Sequence, residues 1–464
     1  MMSEAADEPT AGPDTGASGE PVLARVIQPT PITPHERIEV VDILRGFAIF
    51  GILAVNLLWF AHPFYIDGAG IQPGSGMVDR VARWLINFFF LGKFYSLFSF
   101  LFGFGMAVQM IRAEARGVPF ARLYGRRICV LLGIGLCHAV FLWAGDILVS
   151  YAILGFVLLL FRRGRLSTLI VWAFACLSVP VLNMTGCVGI NKLALSLKPM
   201  VMATSAATTA PATSTAPTTA SATAPTMDSV STPRPGQPDF AAWSQRAYET
   251  YGQGTYRQIL VQRVGDWAFL LLITVLFMFG GILGMFLFGL YAGRRGILHD
   301  VTPHLGFIRK LAIWGLALGV VTNLTAVVAE EFVHAAEISW FALVPTAARA
   351  VGAPALCFFY ASVIVLLVQK DAWRKRLRPL AAVGRMALTN YLLQSVICTM
   401  IFNGYGFGQF GKVGPALGIL LTIVIFAVQI PLSNWWLSRF RFGPMEWLWR
   451  SLTYGKAQPM RPTA

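Results

Sequence analysis

Apolar runs long enough to cross a lipid bilayer recur along nearly the whole chain, and they constrain it more than any other feature. A helix needs about 20 such residues to span the hydrocarbon core. By that criterion there are about ten spans, near 44–62, 93–111, 127–145, 146–161, 166–184, 267–291, 310–329, 350–369, 384–403 and 415–437. Only 13% of the residues are charged, against roughly 25% in soluble globular chains. Backbone polar groups in lipid must be satisfied within their own segment, which makes each run a helix. The expected fold is therefore all-α, a polytopic transmembrane helical bundle whose main partner is the lipid bilayer. The stretch 81–92, VARWLINFFFLG, reads as an interfacial or re-entrant helix leading into the second span.

The distribution of charge gives the orientation. The net charge is +15, and its Lys and Arg sit in short loops between spans. With the N-terminus inside, the loops holding Arg112, Arg116, Arg122, Arg126 and Arg127, then Arg162, Arg163 and Arg165, all fall inside. So do Arg294, Arg295, Arg374, Lys375, Arg376 and Arg378, and the tail with Arg439, Arg441, Arg450 and Lys456. Alternate loops are poor in Lys and Arg, as the positive-inside rule requires. The expectation is N-in and C-in, with anionic lipid rather than nucleic acid as the counterpart of the basic charge.

The chain then divides into a disordered cytoplasmic tail (1–37), a first transmembrane half (38–186), an external loop (187–264), a second transmembrane half (265–437) and a cytoplasmic tail (438–464). The acidic start, rich in Pro and Gly, has no apolar core and is not a signal peptide. The loop contains ATSAATTAPATSTAPTTASATAPT, a composition that cannot bury a core. The six cysteines form no CxxC pair, so they read as small buried apolar residues, with no metal site and no bound cofactor.

Polar groups inside spans are costly and mark candidate sites. Asp42 and Arg45, one turn apart, can pair, either as an interfacial pair or as part of a site. Asn56 follows Arg45 by eleven residues, returning to nearly the same helix face about 16 Å along the axis. In GLCHAVFLWAGDILVS, His138 sits in the outer half of the third span and Asp146 at the turn into the fourth. Such a pair can move protons near neutral pH; alternatively, His138 bonds a neighbouring helix and Asp146 caps the next one. His62 is an alternative base, expected at the outer interface. Lys93 either snorkels outward or lines the same outer cavity. Gly103 and Gly105 read as points of close helix contact.

In GRMALTNYLLQSVI, Thr389, Asn390, Gln394 and Ser395 bring amides and hydroxyls into the ninth span. Asn390 and Gln394 share a face, either bonding another helix or lining a polar passage. Glu446 and Arg450 are spaced to pair beyond the last span, and Glu330, Glu331 and His334 cluster outside. No phosphate-binding P-loop, GxSxG elbow or HExxH pair occurs, which disfavours an ATP-driven pump or a soluble-type hydrolase.

Five stretches in order, VDILRGFAIFGILAVN, KFYSLFSFLFGFG, GLCHAVFLWAGDILVSYAILG, GRMALTNYLLQS and FGPMEWLWRSLTYGK, resemble the YeiB family of bacterial inner-membrane proteins. That family carries domain of unknown function 418 in its C-terminal part. A more distant similarity is to membrane acyltransferases of the acyltransferase-3 type, whose first span has an Arg, ten residues, then a His. Arg45 matches the Arg, while Asn56 stands at the His position. The lysosomal heparan-sulfate acetyltransferase is similar in having an Asn there.

These resemblances imply an acyl-CoA donor from the cytoplasm and an external sugar or lipid-linked acceptor. Arg45 would hold donor phosphates, with Asp42, Lys93, Asn390 and Gln394 lining the substrate site. His138, oriented by Asp146, would deprotonate the acceptor or carry the acyl group, and Asn56 with Lys93 would polarise the acyl carbonyl or place the acceptor. The competing expectation is a proton-coupled secondary transporter using His138 and Asp146 as a relay. A third is a non-catalytic assembly protein.

Overall fold

The computed structural model describes residues 38–65, 74, 76–208, 239–332 and 339–461. The expected N-terminal tail, the central part of the Thr/Ala-rich segment and His334 lie outside the described residues. The described residues form fifteen α-helices and no strand. Eight helical segments are long and apolar enough to cross a membrane, and three shorter apolar helices accompany them.

The first half contributes α1 (Glu39–Ala61), α2 (Met77–Leu85), α3 (Lys93–Ala115), α4 (Phe120–Phe141), α5 (Leu148–Leu160) and α6 (Leu166–Thr208). After α7 (Phe240–Gln253) come α8 (Tyr256–Phe277), α9 (Phe279–Arg294), α10 (Leu305–Glu330) and α11 (Leu343–Val368). The chain ends with α12 (Asp371–Arg385), α13 (Ala387–Phe402), α14 (Pro415–Arg439) and α15 (Pro444–Tyr454).

Several expectations change in detail. The single span at 267–291 is two helices meeting at Met278, so α8 and α9 are separate packing units. The segment 187–264 is not all loop: α6 continues to Thr208, and α7 and the start of α8 follow. The expected fourth and ninth spans correspond to α5 and α13, only 13 and 16 residues long. The short helix before the second span is present as α2, extended by a π-helical turn, Ile86–Phe90. Gly92 separates that turn from α3 with φ +89°, a left-handed conformation that favours glycine.

Small residues bring the central helices together. A Cβ at Gly384 on α12 would strike the Asp42 carbonyl of α1, and one at Gly46 would strike the Leu380 carbonyl. Gly103 on α3 and Gly289 on α9 meet backbone in the same way, at Phe286 and Phe100. Helices in lipid gain no hydrophobic drive from associating, so this close backbone packing holds the bundle. In this arrangement α1 packs on the C-terminal part of α12 and α3 on α9, while α10 and α11 pair alongside.

Candidate functional site

A cavity of ≈ 260 Å³ lies among α1, α3, α4, α5, α12, α13 and α15. Its lining on α1 is Val41, Asp42, Arg45, Ile49 and Ile52, with Ile38 just before the helix, a stripe at helical spacing. Asn56 is one turn farther along that stripe, beyond the lined stretch. Gly105 faces the Arg45 guanidinium across the cavity rather than a helix backbone, so of the two glycines only Gly103 makes the expected helix contact.

The two ends of the cavity differ in chemistry. One end gathers five arginines, Arg45, Arg112, Arg127, Arg385 and Arg450, against two carboxylates, Asp42 and Glu446. Asp42 Oδ1 is 3.0 Å from Arg45 Nη1, the pairing expected from their spacing. The Arg127 guanidinium stacks 3.8 Å from the Trp449 ring, and Trp449 Nε1 donates to the Arg127 carbonyl at 2.8 Å. These contacts dock α15 on α4. Glu446 accepts from the N–H groups of Leu388 and Thr389, at 2.7 and 3.1 Å, and so caps the start of α13. Burial raises the Glu446 carboxyl above the usual carboxylate range, while those bonds and the Thr389 hydroxyl pull against the rise.

The other end is apolar and closes on Ile147, Leu148, Tyr151 and Tyr391. Directly behind that wall is His138, whose ring lies 5.1 Å from the Tyr391 ring. His138 Nδ1 is 2.7 Å from Asp146 Oδ2, and His138 Nε2 is 2.8 Å from the Ser395 hydroxyl. All three groups are buried. Asp146 Oδ1 accepts from the Val149 N–H at 2.8 Å. The carboxylate therefore both contacts the histidine and caps α5, because it has two oxygens. From Arg127 to His138 is eleven residues of α4, about 16 Å, so one helix joins the cationic end to the imidazole.

The remaining candidates are used elsewhere. Asn390 donates to the Ser433 hydroxyl at 3.0 Å, Gln394 donates to Gln429 at 2.8 Å, and Gln429 returns a bond to the Asn390 carbonyl at 3.1 Å. These two turns of α13 are laced to two turns of α14, and neither residue lines the cavity. Lys93 is buried with its ammonium 2.9 Å from the Asn87 carbonyl, away from the cavity lining.

His62 is occupied at both ring nitrogens: Nε2 donates to the Val413 carbonyl at 2.9 Å and Nδ1 accepts from the Tyr248 hydroxyl at 3.2 Å. Burial lowers its basicity, and Arg83 adds to the effect against the Val413 bond. It lines a small separate cavity of ≈ 20 Å³ with Trp143 and Arg263.

Tyr391 and Arg385 line the cavity without having been expected there from the sequence. Ser395 was visible as an intramembrane hydroxyl, and its four-residue spacing from Tyr391 was the available signal. Arg112, Arg127 and Arg450 enter the sequence analysis through orientation, and Arg450 also through its spacing from Glu446.

Residues 292–456 match a family described as a protein of unknown function, DUF418. The uncharacterised protein YxaH of Bacillus subtilis is 38% identical over 454 residues, covering 94% of this chain and 98% of the relative. The uncharacterised protein YeiB of Escherichia coli is 30% identical, covering 91% of this chain and 98% of the relative. An uncharacterised 39.9 kDa protein from the amylase 3′ region of Bacillus acidopullulyticus is 27% identical, with 93% and 97% covered. With the helical bundle and near-full-length coverage in view, the chain is a multi-pass membrane protein that belongs to the YeiB family of DUF418 proteins.

Proposed function

We propose that the protein is a membrane-embedded acyltransferase-like enzyme that takes an acyl group from acyl-CoA and passes it to an acceptor hydroxyl on the opposite face. One observation carries the reading: a single cavity joins an arginine-lined end to the wall of the buried His138–Asp146 pair. Guanidinium groups suit phosphates because their donors form a fixed, permanently charged fork. The apolar walls suit an acyl chain and the arm that carries it. At ≈ 260 Å³ the cavity is below the usual size of a small-molecule site, about 300–1,000 Å³. The nucleotide would stay at the arginine mouth while the thioester enters.

Asp146 accepts a hydrogen bond from Nδ1–H, so His138 Nε2 is the lone pair available to a hydroxyl. Asn56, one turn beyond the cavity on α1, would place the acceptor. Lys93, Asn390, Gln394 and His62 are left with structural roles. On the positive-inside rule the arginine end faces the cytoplasm, with both termini inside and the protein in the bacterial inner membrane.

The test is purified protein with radiolabelled acetyl-CoA, scored for CoA binding and for label transfer to lipid or sugar acceptors. The reading predicts binding that weakens in Arg45→Ala and transfer that fails in His138→Ala. Absence of both, together with proton-coupled flux in proteoliposomes that is lost in Asp146→Asn, would replace it with a transporter.

A further inference from the structure

We infer that Ser395 is an acyl-carrying nucleophile, forming with His138 and Asp146 a buried Ser–His–Asp relay behind the apolar end of the cavity. The inference rests on the acyl-transfer reading of this site and adds a covalent step to it.

The hydrogen-bond roles follow from chemistry. With the Asp146 carboxylate as acceptor, His138 Nδ1 carries the proton at 2.7 Å. Nε2 of the neutral ring is then an acceptor, and the group facing it at 2.8 Å is the Ser395 hydroxyl. Nucleophile, base and orienting group stand in sequence at bonding distance, the arrangement that activates a hydroxyl. The three come from the end of α4, the turn before α5, and the middle of α13.

A histidine needed only to tie helices together has no requirement for a carboxylate on one nitrogen and a hydroxyl on the other. Here the carboxylate is itself held in place by the Val149 N–H. Ser395 also lies one turn from Tyr391, the side chain that closes the cavity. Ser395 is buried and outside the cavity lining, so the step requires Tyr391 to move off His138 when the cavity is occupied.

The step balances without an added reagent. Ser395 Oγ attacks the thioester carbonyl while His138 Nε2 takes its proton. The carbon–sulfur bond breaks, and the departing thiolate takes that proton from Nε2, leaving free CoA and an ester on Ser395. An acceptor hydroxyl then attacks the ester carbonyl, giving its proton to Nε2. The Ser395–acyl bond breaks and Oγ recovers the proton.

The experiment uses full-length protein in detergent and two independent readouts. Brief exposure to labelled acetyl-CoA, an acid quench and peptide mass spectrometry look for acetyl on Ser395. A lipophilic fluorophosphonate then asks whether Ser395 is nucleophilic without any CoA. The expected results are acetyl and phosphonate adducts on Ser395, both lost in His138→Ala, with CoA binding kept in Ser395→Ala and transfer reduced roughly 10³-fold. Ser395→Cys, which keeps a nucleophile of similar size, should trap the acyl group as a hydroxylamine-labile thioester.

If the wild type transfers acetyl but neither adduct forms and Ser395→Ala keeps its rate, Ser395 is not the nucleophile and the acyltransferase reading stands. If acetyl-CoA is neither bound nor used, yet the fluorophosphonate labels Ser395 through His138, the donor assignment falls and the nucleophile stands. If the protein transfers nothing and Ser395 takes no label, both are overturned.

Discussion

Asp146 fixes His138 with one carboxylate oxygen, 2.7 Å from Nδ1, while its other oxygen holds the Val149 N–H at the start of α5 at 2.8 Å. The imidazole is thereby referenced to the backbone of a second helix, not merely to another side chain. The same double use makes the capping and proton-transfer roles separable by substitution.

Asp146→Asn should lose activity far more than stability. Asparagine caps a helix about as well as aspartate, so its carbonyl can keep the Val149 bond. Its amide then presents a donor to His138 Nδ1, forcing the proton onto Nε2 and turning it from acceptor to donor. Label transfer should fall by about 10²-fold or more, while the thermal midpoint moves little. Equal loss of both would reduce Asp146 to a structural cap.

Removing the Arg45 guanidinium should weaken CoA binding without unfolding the chain. Arg45 is part-exposed at the cavity mouth and paired with Asp42. One charge-assisted contact to phosphate corresponds to about a tenfold change in Kd. Titration calorimetry of Arg45→Ala and Arg45→Lys checks this, with the lysine variant intermediate because it keeps the charge but not the fork. Unchanged affinity in both would move the donor elsewhere.

Gln394→Leu should destabilise the α13–α14 contact by about 1–3 kcal/mol, because Gln429 loses its buried partner. Adding Gln429→Leu should restore much of the loss, since two apolar groups leave no amide unsatisfied between these residues. Thermal unfolding in detergent measures both. A Gln394→Leu variant that folds normally and changes CoA affinity would return this residue to the substrate path.

His62 should make the fold acid-sensitive. Its basicity is lowered in the folded chain, chiefly by burial, so the unfolded chain binds a proton more readily. The contribution to stability is complete above the unfolded value of about 6.5 and is lost as pH falls through the lower folded value. The thermal midpoint should therefore drop between pH 7.5 and pH 5, and His62→Gln should flatten that drop. A wild-type curve no steeper than the variant's would remove His62 as the cause.

What could be read from the sequence followed from local rules. Apolar runs and their lengths define most spans, because a segment in lipid satisfies its backbone alone and needs no partner to become a helix. The Asp42–Arg45 pair and the shared face of Arg45 and Asn56 follow from helical periodicity. The break at Met278 did not show, because the apolar composition continues through it without proline.

Tertiary packing decided the rest. The amides of Asn390 and Gln394 suit a ligand or a neighbouring helix equally, and only the position of α14 shows that they bond across helices. Ser395 stands 257 positions from His138, beyond any spacing rule, and becomes its partner because α4 and α13 pass side by side. Arginines placed by the membrane's preference for inside charge gather at one cavity because the ends of α1, α3, α4, α12 and α15 converge there. The sequence by itself determined a helical membrane bundle and which helix faces carry polar groups. Which of those faces meet, and so where a proton could move, was decided by close packing of backbones at residues such as Gly46, Gly103, Gly289 and Gly384.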